Sequence, residues 1–246
     1  MMGFDATRIR AVIRKELRDY RRKRSIVVAM IILPAIFLIQ PTLAVFLGSS
    51  APSSGNYYAL PLLLLLLIPV IMPSTLAAYS VVGEREQGTL EPLLTTPIRR
   101  QEFILGKAAA VMIPTLVLSY TVVGLFLAVV WLFAHPVIAS AVFHQGPVLL
   151  ALVLFTPLLA GWAIVVGMAM SVRASEVRVA QQLGMLASFP PLGVVVLLGI
   201  GVIHPTFTAA VLFAIGLLAI DVQALRFVSR MFDRERLVTG AKATRS

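Results

Sequence analysis

Six long stretches with almost no charge constrain the fold of this chain more than any other feature. They lie near residues 25–48, 60–82, 108–134, 147–172, 179–203 and 206–227. Each is long enough to cross the hydrocarbon core of a bilayer as an α-helix, which needs about 20 apolar residues. Strands are excluded, because the strands of a membrane barrel alternate apolar and polar residues and these stretches do not. We therefore expect an all-α membrane protein with six transmembrane helices.

The composition supports the same class. Of the 246 residues, 59% are hydrophobic and 13% are charged, whereas a soluble domain carries about 25% charged residues. A first uncharged stretch this long is also unlike the 7–15-residue core of a cleavable signal peptide. The chain contains no cysteine, which excludes disulfides, Cys-based zinc sites and thiol chemistry.

The charged residues are segregated along the chain. They occupy the N-terminal segment, the connections after the second and fourth stretches, and the C-terminal end, whereas residues 49–59, 135–146 and 204–205 contain none. The positive-inside rule assigns the charged side to the cytoplasm. We therefore expect both termini inside, in a multi-pass protein of the cell (plasma or inner) membrane. The net charge of +10 then reflects topology and attraction to anionic lipid rather than nucleic-acid binding.

The N-terminal segment, residues 1–24, has the pattern of an amphipathic helix. Its apolar stripe at helical spacing consists of Ile9, Val12, Ile13, Leu17 and Tyr20, and cations cover the other faces. Such a helix lies along the membrane surface. Glu16 falls within the stripe by angle. Either it has a partner of opposite charge, such as an Arg of a neighbouring loop or subunit, or it reaches water at the edge of the stripe.

The longest internal connection, residues 83–107, contains four acids and four bases. Thr89, Leu90, Leu93 and Leu94 form a short apolar ridge, and prolines limit helix length on either side. One interpretation is a short surface helix that docks into a groove of another protein. The alternative is a solvated loop with its leucines packed under the bundle. The six uncharged stretches and their connections place the six-helix domain at residues 25–228, followed by a cytoplasmic tail at 229–246.

No motif in the sequence predicts catalysis. The P-loop pattern is absent, since the nearest match, from Gly83 to Gly88, lacks the lysine. The chain is therefore not expected to bind ATP through such a loop. The metalloprotease pattern H-E-x-x-H and the hydrolase pattern G-x-S-x-G are absent as well. We expect no enzymatic activity and no cofactor in this chain.

Polar residues inside the stretches are candidates for a transport pathway. The set is Gln40, Thr75, Tyr79, Ser119 and Tyr120. Each could instead form hydrogen bonds between helices. The small residues Ala163, Gly167 and Ser171 share one helix face, which favours internal packing over a dimer seam.

Asp221 is the acid inside a span and is a functional candidate by default, although an ion pair with Arg226 is the alternative. His135, His144 and His204 fall on the uncharged side of the predicted topology. They could bind a metal or sense pH, or cap helices and face water.

Three segments resemble the permeases of the ABC-2 type. The connection resembles the family's marker segment through Glu84-Arg85-Glu86, Gly88-Thr89, Leu93-Leu94, Thr96-Pro97 and Gly106-Lys107. The N-terminal run Arg14-Lys15-Glu16-Leu17 and the tail Phe232–Leu237 are similar to the family too. Many relatives place re-entrant helices between spans 5 and 6, and here only about His204-Pro205 separates them.

The resemblance implies the permease subunit of an ATP-driven exporter. It implies a second permease copy or paralogue and a separate cytoplasmic ATPase that binds ATP and Mg²⁺. It further implies that the N-terminal interface helix and the coupling loop contact the ATPase. Our hypothesis is that Leu90, Leu93 and Leu94 of the loop enter the ATPase groove, and Gly88, Thr89 and Pro97 belong to the same coupling segment.

Charged residues at both ends of the loop, namely Glu84, Arg85, Glu86, Arg99 and Arg100, would set the orientation of the docked segment.

Two other functions remain open from the residues alone. One is a secondary transporter or channel, which would need ionisable groups near the middle of the bilayer. The other is a membrane accessory protein without a transport role.

Overall fold

The computed structural model of the chain describes residues 5–47, 58–83, 99–174, 176–200, 202 and 207–231. Within these ranges the regular structure is helical, and six helices are long and apolar enough to cross a membrane. They confirm the six-span fold. The spans are Ile26–Phe46, Ala59–Ala78, Gln101–Phe133, Gly146–Arg173, Val177–Leu197 and Ala210–Val228.

Nine α-helices form the described part of the chain. They are α1 (Ala6–Arg22), α2 (Arg24–Phe46), α3 (Ala59–Leu63), α4 (Leu67–Ala78), α5 (Arg100–Phe133), α6 (Pro136–Phe143), α7 (Gly146–Arg173), α8 (Val177–Gly199) and α9 (Phe207–Met231). A 3₁₀ turn (Leu64–Leu66) joins α3 to α4, and a π-helix (Tyr79–Gly83) follows α4. The second span therefore comprises α3, the 3₁₀ turn and α4, while α2, α5, α7, α8 and α9 provide the other five.

The second span lies at the centre of the bundle. Its residues from Ile68 to Ser74 are all buried, and α4 packs against α7, α8 and α5. Close approach is possible because small residues face one another. A Cβ added to Gly167 of α7 would lie 2.8 Å from the Cβ of Ala77, and one added to Gly184 of α8 would lie 3.2 Å from the Cα of Gly167. Ala163, Gly167 and Ser171 are all buried, as internal packing requires.

The outer helices expose large apolar side chains. Ile31, Ile36 and Leu43 of α2, Trp131 of α5 and Leu212 of α9 are each about half exposed or more. A soluble protein would rarely leave such extended apolar faces in water. These faces are suited to lipid, and the chain is a multi-pass membrane protein.

Two helical segments lie where the charge pattern places connections. The helix that contains the third span, α5, begins at Arg100. Residues 100–107 are therefore helical and not part of the loop. The charge rule locates the apolar core of a span, but a helix can continue beyond the bilayer where its side chains have partners. In addition, α6 occupies the connection between the third and fourth spans.

Candidate functional site

A buried ion pair joins the N-terminal helix to the third span. The Lys107 Nζ of α5 donates to the Glu16 Oε1 of α1 at 3.0 Å, and Lys15 Nζ reaches the same oxygen at 3.2 Å. The Lys107 side chain is 1% exposed and that of Glu16 is 7% exposed. Glu16 therefore has a partner of opposite charge, which is a lysine of the same chain rather than an arginine. Lys107 also lies over the ring of Phe103, 5.0 Å from its centroid.

The charges around Glu16 keep it ionised. Burial by itself raises the pKa of Glu16, but the charges of Lys107 and Lys15 and their hydrogen bonds lower it further than burial raises it. The net result is a pKa below the ordinary value of a glutamate. At neutral pH the contact between α1 and α5 is thus a charged pair held away from water.

Glu102 forms a second link between the same two helices. Its Oε1 accepts a hydrogen bond from the Asp5 backbone N–H at 3.1 Å, and its Oε2 accepts from the Arg99 N–H at 3.2 Å. The side chain is 1% exposed, and Arg8 lies 3.7 Å away. One carboxylate therefore satisfies backbone donors at the start of α1 and of α5. Helix starts leave such donors unpaired, and acidic side chains stabilise them.

A glycine allows α1 to lie directly on α5. A Cβ placed on Gly106 would come within 2.7 Å of the Val12 Cβ and 3.4 Å of the Ile9 carbonyl oxygen. Any larger residue at this position would push the two helices apart. Val12 and Tyr20 are buried, so the apolar stripe of α1 is turned partly toward α5. We call the contact formed by Glu16, Val12, Glu102, Gly106 and Lys107 the charged junction.

The second span ends in the π-helix just before the predicted coupling segment. Ser171 of α7 bonds this irregular turn, because its Oγ donates to the Ala78 carbonyl at 2.7 Å and accepts from the Val82 N–H at 3.1 Å. A π-turn disrupts the ordinary helical hydrogen bonding, and such turns are frequent at functional sites. Lys23, at the junction of α1 and α2, lies 5.5 Å from the ring centroid of Tyr79. The turn is thus held from two sides.

The central part of the predicted coupling loop lies outside the described residues. This applies to Glu84, Arg85, Glu86, Gly88, Thr89, Leu90, Leu93, Leu94 and Pro97. The described chain resumes at Arg99, the N-cap residue of α5, and Arg100 is the first residue of that helix. The π-helix and the start of α5 therefore flank the segment. In the interface helix, Arg14 is exposed, Lys15 and Leu17 are half-buried, and Glu16 is buried.

The five candidate pathway residues are not gathered at one place. Gln40 is exposed on α2, and Tyr79 begins the π-helix toward the opposite end of the bundle. The Thr75 hydroxyl donates to the Ile71 carbonyl at 3.1 Å. The Tyr120 hydroxyl donates to the Val153 carbonyl at 3.0 Å and thus links α5 to α7. Ser119 is buried, and its Oγ has no hydrogen-bond partner among the described residues.

Asp221 lies in α9 and faces α7. Its Oδ2 is 2.8 Å from the position of a Cβ on Gly161, and its Oδ1 has no hydrogen-bond partner in the described part of the chain. Arg226 is exposed, and the expected ion pair between the two is not formed. The five-residue separation explains this, because on a helix only residues three or four apart lie on the same face.

Two of the three histidines lie at the ends of a helix. His135 is the N-cap residue of α6, and His144 is its C-cap residue. The Nδ1 of His144 donates to the Ser140 carbonyl at 2.6 Å. His204 lies outside the described residues. Within the described ranges no group of three His, Asp or Glu side chains could hold a metal ion.

No role for Glu102 follows from the sequence alone. The available signal was an acid in the first turn of a helix, but the charge rule placed residue 102 in a loop. The hydrogen-bonding role of Ser171 was also missed, since the residue was noted only for its small size. The π-turn that it holds has no sequence signature of its own.

Comparison with known proteins places the chain in a family. No curated protein matches the sequence significantly. The sequence model of a family described as ABC-2 family transporter protein matches residues 12–175. The match covers more than half of the chain and includes the charged junction, the flanks of the undescribed segment and Ser171. The chain therefore belongs to the ABC-2 transporter family and is a membrane component of an ABC transporter.

Proposed function

We propose that this chain is the permease subunit of an ATP-driven exporter and is coupled at its charged end to a separate cytoplasmic ATPase. Family membership and the six apolar helices support the role in membrane transport. The resemblance of residues 83–107 to the family's marker segment supports the coupling. ATP and Mg²⁺ would bind to the partner ATPase, since this chain has no P-loop pattern.

The single observation that carries the proposal is the ion pair between Glu16 and Lys107. It connects α1 to the helix that begins directly after the coupling segment. A displacement of that segment by the ATPase would act on α5 at Arg100 and on the π-helix at Gly83. The charged junction would then pass the movement of α5 to α1, because the two helices are joined by buried contacts.

Such coupling needs a difference in contact energy between two states. A ligand or partner shifts a conformational equilibrium only by as much as its affinity differs between the two conformations. We propose that the ATPase holds the coupling segment differently with and without ATP. The π-helix is the element suited to absorb the change, since its hydrogen bonding is irregular and depends on Ser171 of another span.

In this proposal both termini lie in the cytoplasm. Six crossings bring the two ends to one side, and the positive-inside rule makes that side the cytoplasm. The direction of transport follows the resemblance to exporters. The ATPase and a second permease copy or paralogue complete the proposed assembly.

The test is nucleotide hydrolysis by the complex reconstituted with its ATPase. Reversing the charges with Glu84→Arg and Glu86→Arg should leave membrane insertion intact and separate ATP hydrolysis from transport. The matched control is Glu176→Arg, which reverses an exposed acid in a different connection on the same side of the bundle. We expect wild-type coupling from the control.

Two results would overturn the proposal. One is full ATP-driven transport by the double charge-reversal variant. The other is undiminished transport in vesicles that contain this chain and no ATPase, which would make it a secondary transporter or a channel.

A further inference from the structure

A buried carboxylate within the membrane-spanning region has no counter-charge in the part of the chain that the structure describes. Asp221 is 9% exposed, and its Oδ1 accepts no hydrogen bond from the described residues. Its Oδ2 lies over Gly161, 2.8 Å from the position that a Cβ of this glycine would take. A carboxylate inside a bilayer is costly unless it is paired or serves a function. The candidate pathway residues do not supply the missing partner.

The depth of Asp221 can be judged from the helices around it. Gly161 lies 12 residues before Arg173 at the charged end of α7, and at 1.5 Å per residue this is about 18 Å. Met112, whose Cε is 3.8 Å from the same Cβ position, lies five residues after Lys107, the last charged residue of α5, or about 8 Å along the helix. Both distances place the carboxylate inside a hydrocarbon core about 30 Å thick.

The surroundings of the carboxylate are apolar and small. Gly161 provides space because it has no side chain, and a Cβ there would clash with Oδ2. Met112 and Gly161 are half-buried rather than buried, so Asp221 lies close to the outer surface of the bundle. The neighbouring α9 residues Ile220 and Val222 are about half exposed. An apolar molecule dissolved in the bilayer can thus come near the carboxylate.

We propose that Asp221 and Gly161 form a recognition site for hydrophobic organic cations that enter from the lipid. The carboxylate would pair with the positive charge, and Gly161 and Met112 would contact the apolar body. A bare metal ion fits less well, because it requires several oxygen ligands and no group of three His, Asp or Glu lies within the described ranges. This inference rests on the proposed function in taking the bound cation as a transported compound.

Binding can be measured on the permease alone, without any ATPase. The purified chain would be placed in nanodiscs of uncharged phosphatidylcholine, and binding of tetraphenylphosphonium would be measured by equilibrium dialysis. Triphenylphosphine oxide serves as the neutral probe of similar shape. We expect saturable binding of the cation and none of the neutral compound.

Three variants locate the site. Asp221→Asn should weaken tetraphenylphosphonium binding by about tenfold or more, since it removes one partner of a desolvated charge pair. Asp221→Glu retains the charge and should keep most of the affinity, whereas Gly161→Ala should weaken binding by crowding Oδ2. The control Glu176→Gln removes an exposed negative charge and should bind as the wild type does.

A labelling measurement tests the site with Asp221 intact, which covers the case that Asp221→Asn does not fold. The chain has no native cysteine, so Met112→Cys offers one thiol beside the site, and tetraphenylphosphonium should slow its reaction with a methanethiosulfonate reagent. Wild-type binding by folded Asp221→Asn, equal binding of the neutral probe, or unchanged labelling of Met112→Cys would each overturn the inference. If the wild type binds no tetraphenylphosphonium but is coupled to its ATPase, only this site is refuted. If the wild type binds the cation through Asp221 but is not coupled to an ATPase, only the proposed function is refuted.

Discussion

Lys107 and Glu16 are separated by 91 positions in the sequence, yet their side chains meet at 3.0 Å in a buried contact. One belongs to the third span and the other to the N-terminal helix. The pair fixes α1, which the sequence predicts to be an amphipathic surface helix, against the bundle. Because α5 begins directly after the proposed coupling segment, the position of α1 depends on the helix on which that segment would act.

Loss of the Glu16 carboxylate should lower the free energy of unfolding. Glu16→Gln removes the carboxylate that faces a buried ammonium group, and breaking a buried pair in this way costs about 3 kcal/mol. The measurement is the free energy of unfolding in mixed micelles during a titration with dodecyl sulfate. The double variant Glu16→Gln/Lys107→Gln should cost less than the two single changes added together, since contacting residues are energetically coupled.

The control for this prediction is Lys15→Gln. Lys15 also reaches Glu16 but is 41% exposed, and an exposed ion pair contributes less than about 1 kcal/mol. Strictly additive costs for Glu16→Gln and Lys107→Gln would show that the two side chains do not interact in the membrane.

The same contact should depend on pH. The pKa of Glu16 is lower in the folded protein than in the unfolded chain, where a glutamate has a pKa of about 4.3. Its contribution is therefore complete above that value and is lost as the pH falls through the lower, folded-state pKa. Amide hydrogen exchange in α1 should accelerate below about pH 4.

Asp5 also has a lowered pKa, because the Thr7 backbone N–H donates to it, so wild-type exchange alone does not identify the group. In the Glu16→Gln variant the part of the pH response that belongs to Glu16 should disappear. An identical pH profile for the variant and the wild type would exclude Glu16 as its source.

Gly106 should tolerate no side chain. Gly106→Ala places a Cβ 2.7 Å from that of Val12, so α1 must shift away from α5. We expect faster hydrogen exchange in α1 and weaker ATPase coupling. The matched control on the same helix is Gly124→Ala, where nothing lies within 4 Å of the added atom, and replacing a helical glycine there should stabilise the protein by up to about 1 kcal/mol. Equal behaviour of the two variants would show that α1 does not lie against Gly106.

Ser171 should contribute more to the free energy of unfolding than an ordinary buried serine does. Ser171→Ala removes the bonds to the Ala78 carbonyl and the Val82 N–H, and leaving buried groups unsatisfied costs about 2 kcal/mol. Ser188→Ala is the control, because Ser188 is buried but its hydroxyl bonds only the Gly184 carbonyl of its own helix. Unfolding free energies of the two variants within about 0.5 kcal/mol of each other would contradict the role of Ser171.

The spans could be predicted from sequence because the cost of burying charge in lipid acts locally. Each uncharged stretch identifies a helix without knowledge of its neighbours. The need of Glu16 for a partner was predictable for the same reason, since its angle on α1 is a local property. The identity of that partner was not, because it depends on how α1 lies on α5, and the charge rule had assigned Lys107 to a loop.

The absent pair between Asp221 and Arg226 shows the limit of reading charge from sequence distance. Nearness along the chain made them partners by expectation, but the turn of α9 directs them to different surroundings. The π-helix could not be foreseen either. Its unusual hydrogen bonds are compensated by Ser171, which is distant in sequence and is recognised as a partner only once α4 and α7 are packed together.

Topology is the basis of the orientation, the coupling site and the exporter assignment, and it can be measured directly. The chain has no native cysteine, so Arg99→Cys and Ser140→Cys each introduce a single thiol at an exposed position on opposite sides of the predicted membrane. With a membrane-impermeant maleimide, Ser140→Cys should be labelled in intact cells, and Arg99→Cys should be labelled only after permeabilisation. Labelling of Arg99→Cys in intact cells would contradict the account.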